Sequence, residues 1–179
     1  MKRHIPFISA VCLTISILCI LFSINAQAQK HEDTENERIY KEIVLRTNNP
    51  QKADSILEII NNVSEKTGID KIFLTAIMEI ESDFDENAET PNSGNYGLMQ
   101  INDFPKGKPS VKRLDPYQNT LYAAKVLEEY QNIFKNKPQD QKLEMMAYGY
   151  FSRMKNPIKE KQTVIAYIDT VMKKYHELK

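Results

Sequence analysis

The 179-residue chain contains no tryptophan, five glycines, three histidines and two cysteines, and its formal charges cancel. Each scarcity excludes a class of function. Cys12 and Cys19 both lie in one apolar run near the N-terminus, and neither follows the small residue that a lipoprotein site requires. A chain cut after that run has no cysteine, which excludes disulfides and thiolate chemistry in any compartment. His4 precedes the run, and His31 and His176 stand near the two ends of the remaining chain without paired ligands. No metal centre is expected from them. No Ser/His/Asp or Cys/His constellation can be assembled, and no Gly-rich loop is available to cradle a phosphate, so no cofactor is expected. Balanced charge without a basic tract argues against nucleic acid or an anionic membrane surface as partner.

The N-terminus reads as a targeting segment. Lys2 and Arg3 are followed by a mostly apolar stretch from Phe7 to Ile24 and then by Ala26-Gln27-Ala28, a small-residue cleavage signal. The apolar run is long enough to serve as an anchor if it is retained, but the site after it favours removal of residues 1–28. That cut removes two basic residues and no acid, leaving 22 basic against 24 acidic side chains. The remainder is long enough for one domain with a substantial core. Residues 29–37 are polar and read as a flexible tether, and residues 38–179 read as the domain. It is expected to be exported, to the periplasm or cell wall, and to act as a monomer.

Within the domain, helical signals dominate. A short helix is expected over 38–47, with Ile39, Ile43 and Val44 on one face. Asn49 and Pro50 open a second, through Ala53, Ile56, Leu57, Ile60 and Val63, closed by Gly68. Asp115-Pro116 opens another through Leu121, Ala124 and Leu127. Asp140 is read as the cap of a helix over 141–152 carrying Leu143, Met146, Ala147 and Tyr150 inward. A last helix over about 158–178 uses Val164, Ile168, Val171, Tyr175 and Leu178. Between 83 and 116 the periodicity is lost and Pro and Gly concentrate, which reads as a functional loop region. The fold class is therefore all-α, with at most a small irregular or β-like lobe.

The chemistry concentrates between Lys71 and Asn102. Asp70 can cap a helix starting at Lys71. At about 100° per residue, Phe73, Leu74, Ala76, Ile77, Met78 and Ile80 form one apolar arc, and Glu81 falls inside it. Glu79 falls on the opposite side with Lys71 and Thr75, and reads as solvated. A carboxylate on a face due for burial, at the negative end of a helix, is disfavoured in its ionised form, as suits a general acid.

The residues from Glu81 onward carry a resemblance. Glu81-Ser82-x-Phe84, Ala88 and Gly97-Leu98-Met99-Gln100-Ile101-Asn102 resemble the signature of the lytic transglycosylase (soluble lytic transglycosylase, goose-type lysozyme-like) family. The loop between them, ETPNSGNY, is one residue longer than usual. The GLMQIN ending resembles the small specialised members that accompany secretion and conjugation machines. Asn119 matches a family Asn. Met146-Ala147-Tyr148 matches the start of the family's A-Y-N-A-G motif, whereas Gly149 and Tyr150 depart from it.

The resemblance implies a lysozyme-like domain acting on peptidoglycan glycan strands. Glu81 would be the single acid/base, forming a 1,6-anhydro-MurNAc end by cleavage of the MurNAc–GlcNAc bond. Ser82, Thr90, Met99, Gln100, Asn102 and Tyr148 are the implied substrate-side positions. Gln100 would contact a sugar hydroxyl or acetamido group, and the Tyr148 phenol would reach the catalytic carboxyl or the N-acetyl group. Leu98, Met99 and Ile101 are expected to anchor the loop in the core. Two other readings are a hydrolytic lysozyme, with a second carboxylate such as Asp103, and a weakly active peptidoglycan-docking component of an envelope machine.

Overall fold

The computed structural model describes residues 7–90, 94–102, 115–154 and 161–179, with side chains from residue 17 onward. The expected Asp103 and the centre of the ETPNSGNY loop lie outside these residues. Six helices and one small hairpin are described: α1 (Phe7–Thr47), α2 (Pro50–Thr67), α3 (Lys71–Ser82), β1 (Glu89–Thr90), β2 (Asn95–Tyr96), α4 (Pro116–Ile133), α5 (Gln139–Met154) and α6 (Lys161–Leu178). The all-α class with a β-like lobe is the one the sequence indicates.

The chain divides into two compact units, Met1–Glu37 and Arg38–Lys179. In the first, residues 30–37 are helical rather than a flexible tether. No glycine or proline interrupts the sequence from Phe7 to Thr47. Local pairs of helical spacing, Gln29 with Asp33 (3.0 Å) and His31 with Glu35 (3.3 Å), span successive turns. Among the described residues no helix is long and apolar enough to cross a membrane.

In the second unit, the helix boundaries follow local chemistry. The Asn49 side chain accepts from Lys52 N (3.0 Å) with Pro50 in the first turn. The Asp70 carboxylate accepts from Ile72 N (2.9 Å) and Phe73 N (3.1 Å). Asp115 accepts from Gln118 N (2.8 Å) ahead of Pro116. These satisfy donors that a helix N-terminus otherwise leaves unpaired. Gly68, at φ 69°, takes the left-handed conformation that ends α2. Asp140 is not a cap: α5 starts one residue before it, with Lys142 N bonded to Pro138 O, and Asp140 lies in the first turn.

α3 is the central element. It packs against α2 and α6, α5 bridges α4 and α6, and α2 packs on α4. Every α3 residue from Ile72 to Glu79 is buried. The core runs from Ile39 and Ile43 through Phe73, Ile77 and Met78 to Met146, Tyr150 and Tyr175.

Candidate functional site

Glu81 sits in the last turn of α3 and is half-buried. The helix stops immediately afterwards, because Asp83 and Phe84 adopt left-handed backbone at φ 51° and 62°. Such conformations are costly for side chains of this size, typically about 1–3 kcal/mol each. They are held by the completely buried Phe84 side chain and by a tight turn in which Asp85 N donates to Ser82 O (3.0 Å) and Ala88 N to Asp85 O (3.1 Å). Ser82 Oγ donates back to Met78 O (3.1 Å), which fixes the end of the helix.

The residue facing Glu81 comes from the far end of the chain. Tyr167 of α6 donates its hydroxyl to Glu81 Oε1 at 2.9 Å, across 86 positions of sequence. Its ring is held by Phe151 of α5, 4.7 Å between centroids. Sequence reasoning passed over Tyr167. The available signal was a tyrosine on the inward side of the last helix, whose hydroxyl needs a partner once buried.

Burial pushes the Tyr167 phenol well above its ordinary value, and the Glu81 charge pushes it further. The Tyr150 phenol moves the same way, first by burial, then by Glu81 and Tyr122. A phenol with a raised folded value contributes stability that is complete below the unfolded value of 10.0 and is lost as pH rises through the folded value. An ultraviolet difference titration should therefore find Tyr150 and Tyr167 still protonated above pH 10 in the native protein, with unfolding as they ionise. Glu81→Gln should bring the Tyr167 titration to lower pH; an unmoved titration would show that the two groups do not interact.

The sequence assigns Tyr148 a contact with the carboxyl or with the substrate's N-acetyl group; that residue is 54% exposed on the outer side of α5, and it is Tyr167 that bonds the carboxyl. The inward position belongs to Tyr150, whose hydroxyl donates to Met99 O. Gly149, which departs from the family pattern, is dictated by packing. A Cβ there would stand 2.5 Å from the Tyr130 ring.

The loop that closes the site is built inward. β1 and β2 pair antiparallel, Glu89 with Tyr96 and Thr90 with Asn95, and Tyr96 bridges to Ile101. Leu98, Met99 and Ile101 are fully buried, so the loop is anchored as the sequence suggests, and Met99 presents its side chain to the core rather than to a ligand. Asn119 explains its match to the family Asn. Its amide donates to Tyr96 O (2.9 Å) and its oxygen accepts from Met99 N (2.8 Å). Gly97, at φ 75°, lies against that amide, where a Cβ would come within 2.7 Å.

Gln100 requires a correction. It is 1% exposed, not presented to solvent. Its amide donates to Ala88 O (2.9 Å) and Gly97 O (3.1 Å), and its oxygen accepts from Thr90 Oγ1 (2.5 Å). An uncharged amide buried in a loop satisfies its own polar atoms, and here it clamps the two sides of the lobe together. Gln100→Ala should therefore act on folding as well as on turnover. Losing three part-buried hydrogen bonds at about 1 kcal/mol each should lower stability by ~3 kcal/mol, comparable with the roughly 2–5 kcal/mol expected for Met99→Ala. Thermal melts of both variants check this; a wild-type melting temperature for Gln100→Ala would return the residue to a substrate role. Asn102 is half-buried at the end of the lobe.

Glu79 is the second correction. It is buried at 5% exposure, not solvated. Its Oε1 receives Arg46 of α1 and Lys174 of α6, the latter at 3.0 Å. Glu42 Oε1 joins the cluster, 3.2 Å from each cation. Burial raises the Glu79 carboxyl above its ordinary value against the pull of Lys174 and Arg46. The helical pattern missed this because it reports only where a helix carries its own apolar residues. The polar stripe of α3 is covered by two other helices that bring matching charge.

The arrangement is one half-buried carboxylate oriented by a protonated phenol, beside a hairpin lobe fixed to the core. A family model, the transglycosylase SLT domain, matches residues 58–167, well over half of the chain, and includes Glu81, the lobe and Tyr167. The chain belongs to this family of peptidoglycan lytic transglycosylases. No curated protein matches the chain at significant similarity.

Proposed function

We propose that the protein cleaves the β-1,4 bond between MurNAc and GlcNAc by a non-hydrolytic, single-carboxylate mechanism with Glu81 as acid and then base. The observation that carries this reading is the Tyr167–Glu81 hydrogen bond at the end of the helix that bears the family signature. Protonated Glu81 gives its proton to the glycosidic oxygen, and the bond to C1 of MurNAc breaks. The N-acetyl oxygen of the same sugar stabilises the cationic centre. Glu81, now a carboxylate, takes the proton of the C6 hydroxyl as that oxygen closes onto C1. The product is a 1,6-anhydro end and no water is consumed. Tyr167 keeps its proton throughout and holds one carboxylate oxygen in place.

A two-carboxylate hydrolase needs a second acid across the bond. Of the described acids nearest in sequence, Glu79 is taken up by Arg46 and Lys174, Asp83 stands 3.8 Å from Arg46, Asp85 accepts from Asn87 N, and Glu86 is exposed. This favours the single-acid route. The targeting segment supports export to the wall, and the GLMQIN ending supports service to an envelope-spanning machine.

Incubating the protein with purified sacculi and identifying the muropeptides by mass spectrometry tests the reading. Anhydro ends are expected. Reducing ends would make it a lysozyme, and no release would make it a wall-docking component.

A further inference from the structure

Among the described residues, two close polar contacts join α6 to residues within α3, beside a longer one from the Tyr175 hydroxyl to Asp70 Oδ2 at the α3 cap (3.5 Å). One is Tyr167 on Glu81. The other lies seven residues along, two helical turns on the same side of α6, where Lys174 meets Glu79. The second contact is also enclosed: the Lys174 side chain is 14% exposed and that of Glu79 is 3%. All of the charge pairing of Glu79 goes through Oε1, and its buried Oε2 has no hydrogen-bond partner among the described residues. Glu42 and Arg46 from α1, Glu177 from α6 and Asp83 beyond α3 complete the charged groups around the pair.

A buried ion pair adds little net stability over apolar side chains of the same size; its attested use is to fix register. The apolar contacts between α3 and α6 are non-directional and tolerate a slide or a roll. The hydrogen bond at Tyr167 and the long Tyr175–Asp70 contact leave α6 room to roll, whereas a close charged contact two turns from Tyr167 removes it. We propose that Lys174, through Glu79, is a positioning residue that sets the register of α6 on α3 and so holds the Tyr167 hydroxyl on Glu81. Its consequence for turnover rests on the reading of Glu81 as the acid/base; its consequence for geometry does not.

The test therefore has two arms. In protein labelled with 13C at the tyrosine ζ carbon, the Tyr167 signal is assigned by its loss in Tyr167→Phe. Its position without the contact is given by Glu81→Ala. In Lys174→Met and the milder Lys174→Gln, that signal should move at least halfway to the Glu81→Ala position, whereas Lys174→Arg should leave it near wild type. An unmoved signal in either folded neutral variant overturns the proposal, whatever the activity. In the second arm, Lys174→Met should lower kcat about tenfold with KM little changed, within the range for residues coupled through one contact. It should lower kcat no further in a Tyr167→Phe background. Equal losses in both backgrounds would show that Lys174 does not act through Tyr167, and would also overturn it. A wild-type protein that releases nothing from sacculi defeats the enzymatic reading alone, because the spectroscopic arm still decides the positioning role.

Discussion

Glu81→Gln is expected to abolish detectable release of anhydro-muropeptides while leaving the protein folded. Loss of a general acid typically costs about 10²–10⁴ in rate, and one group is here asked to give a proton and then take one. Glutamine can do neither. It keeps the size of glutamate and an oxygen able to accept from Tyr167, so the contact at 2.9 Å has a substitute. It also removes a negative charge from the C-terminal end of α3, where the helix dipole opposes it. A melting temperature at or above wild type should accompany the lost activity. A suitable control is Glu65→Gln, at an exposed position of α2, which should keep near-wild-type turnover. Retained activity in Glu81→Gln would refute its role as acid/base.

Glu79→Ala should show the opposite emphasis, a large loss of stability. Glu79 cannot serve as the solvated control that the helical pattern suggests, because it is buried between Arg46 and Lys174. Removing one partner of a buried charge cluster costs about 3–5 kcal/mol. Both cations retain Glu42, which places the expectation near the lower end, at ~3 kcal/mol. For a domain of this size that corresponds to a fall in melting temperature of roughly 6–12 °C. A melting temperature within a degree or two of wild type would show that the cluster does not hold the helices together.

The comparison of Glu79 with Glu81 marks how far the sequence could be read. At the starts of α2, α3 and α4 the sequence sufficed, whereas for Asp140 and the start of α1 it did not. Asn49, Asp70 and Asp115 cap α2, α3 and α4 because a short polar side chain at that position answers donors only two or three residues away. Gly68 ends α2 for an equally local reason. Glu81 stood out because a carboxylate inside an apolar arc is anomalous whatever surrounds it. Leu98, Met99 and Ile101 announced an anchored loop because apolar side chains in a stretch without periodicity have to be buried somewhere.

The tertiary structure decided everything that depends on which surfaces meet. Tyr167 reaches Glu81 only because α6 returns to α3, a pairing that no local pattern encodes. The polar stripe of α3 became an interior because Arg46 and Lys174 arrive from α1 and α6. Gln100 became a clamp because the hairpin brings Ala88, Thr90 and Gly97 around it. The two tyrosines of Ala147-Tyr148-Gly149-Tyr150 took opposite fates, since the rotation of α5 puts 150 in the core and 148 in solvent. Periodicity reports the burial a helix arranges with its own side chains, so the sequence by itself determined where most of the helices lie, the caps of α2, α3 and α4, and the anomalous placement of Glu81. Hydrogen bonds and ion pairs between distant segments depend on the packing, and they decided which groups surround the Glu81 carboxylate and hold it in place.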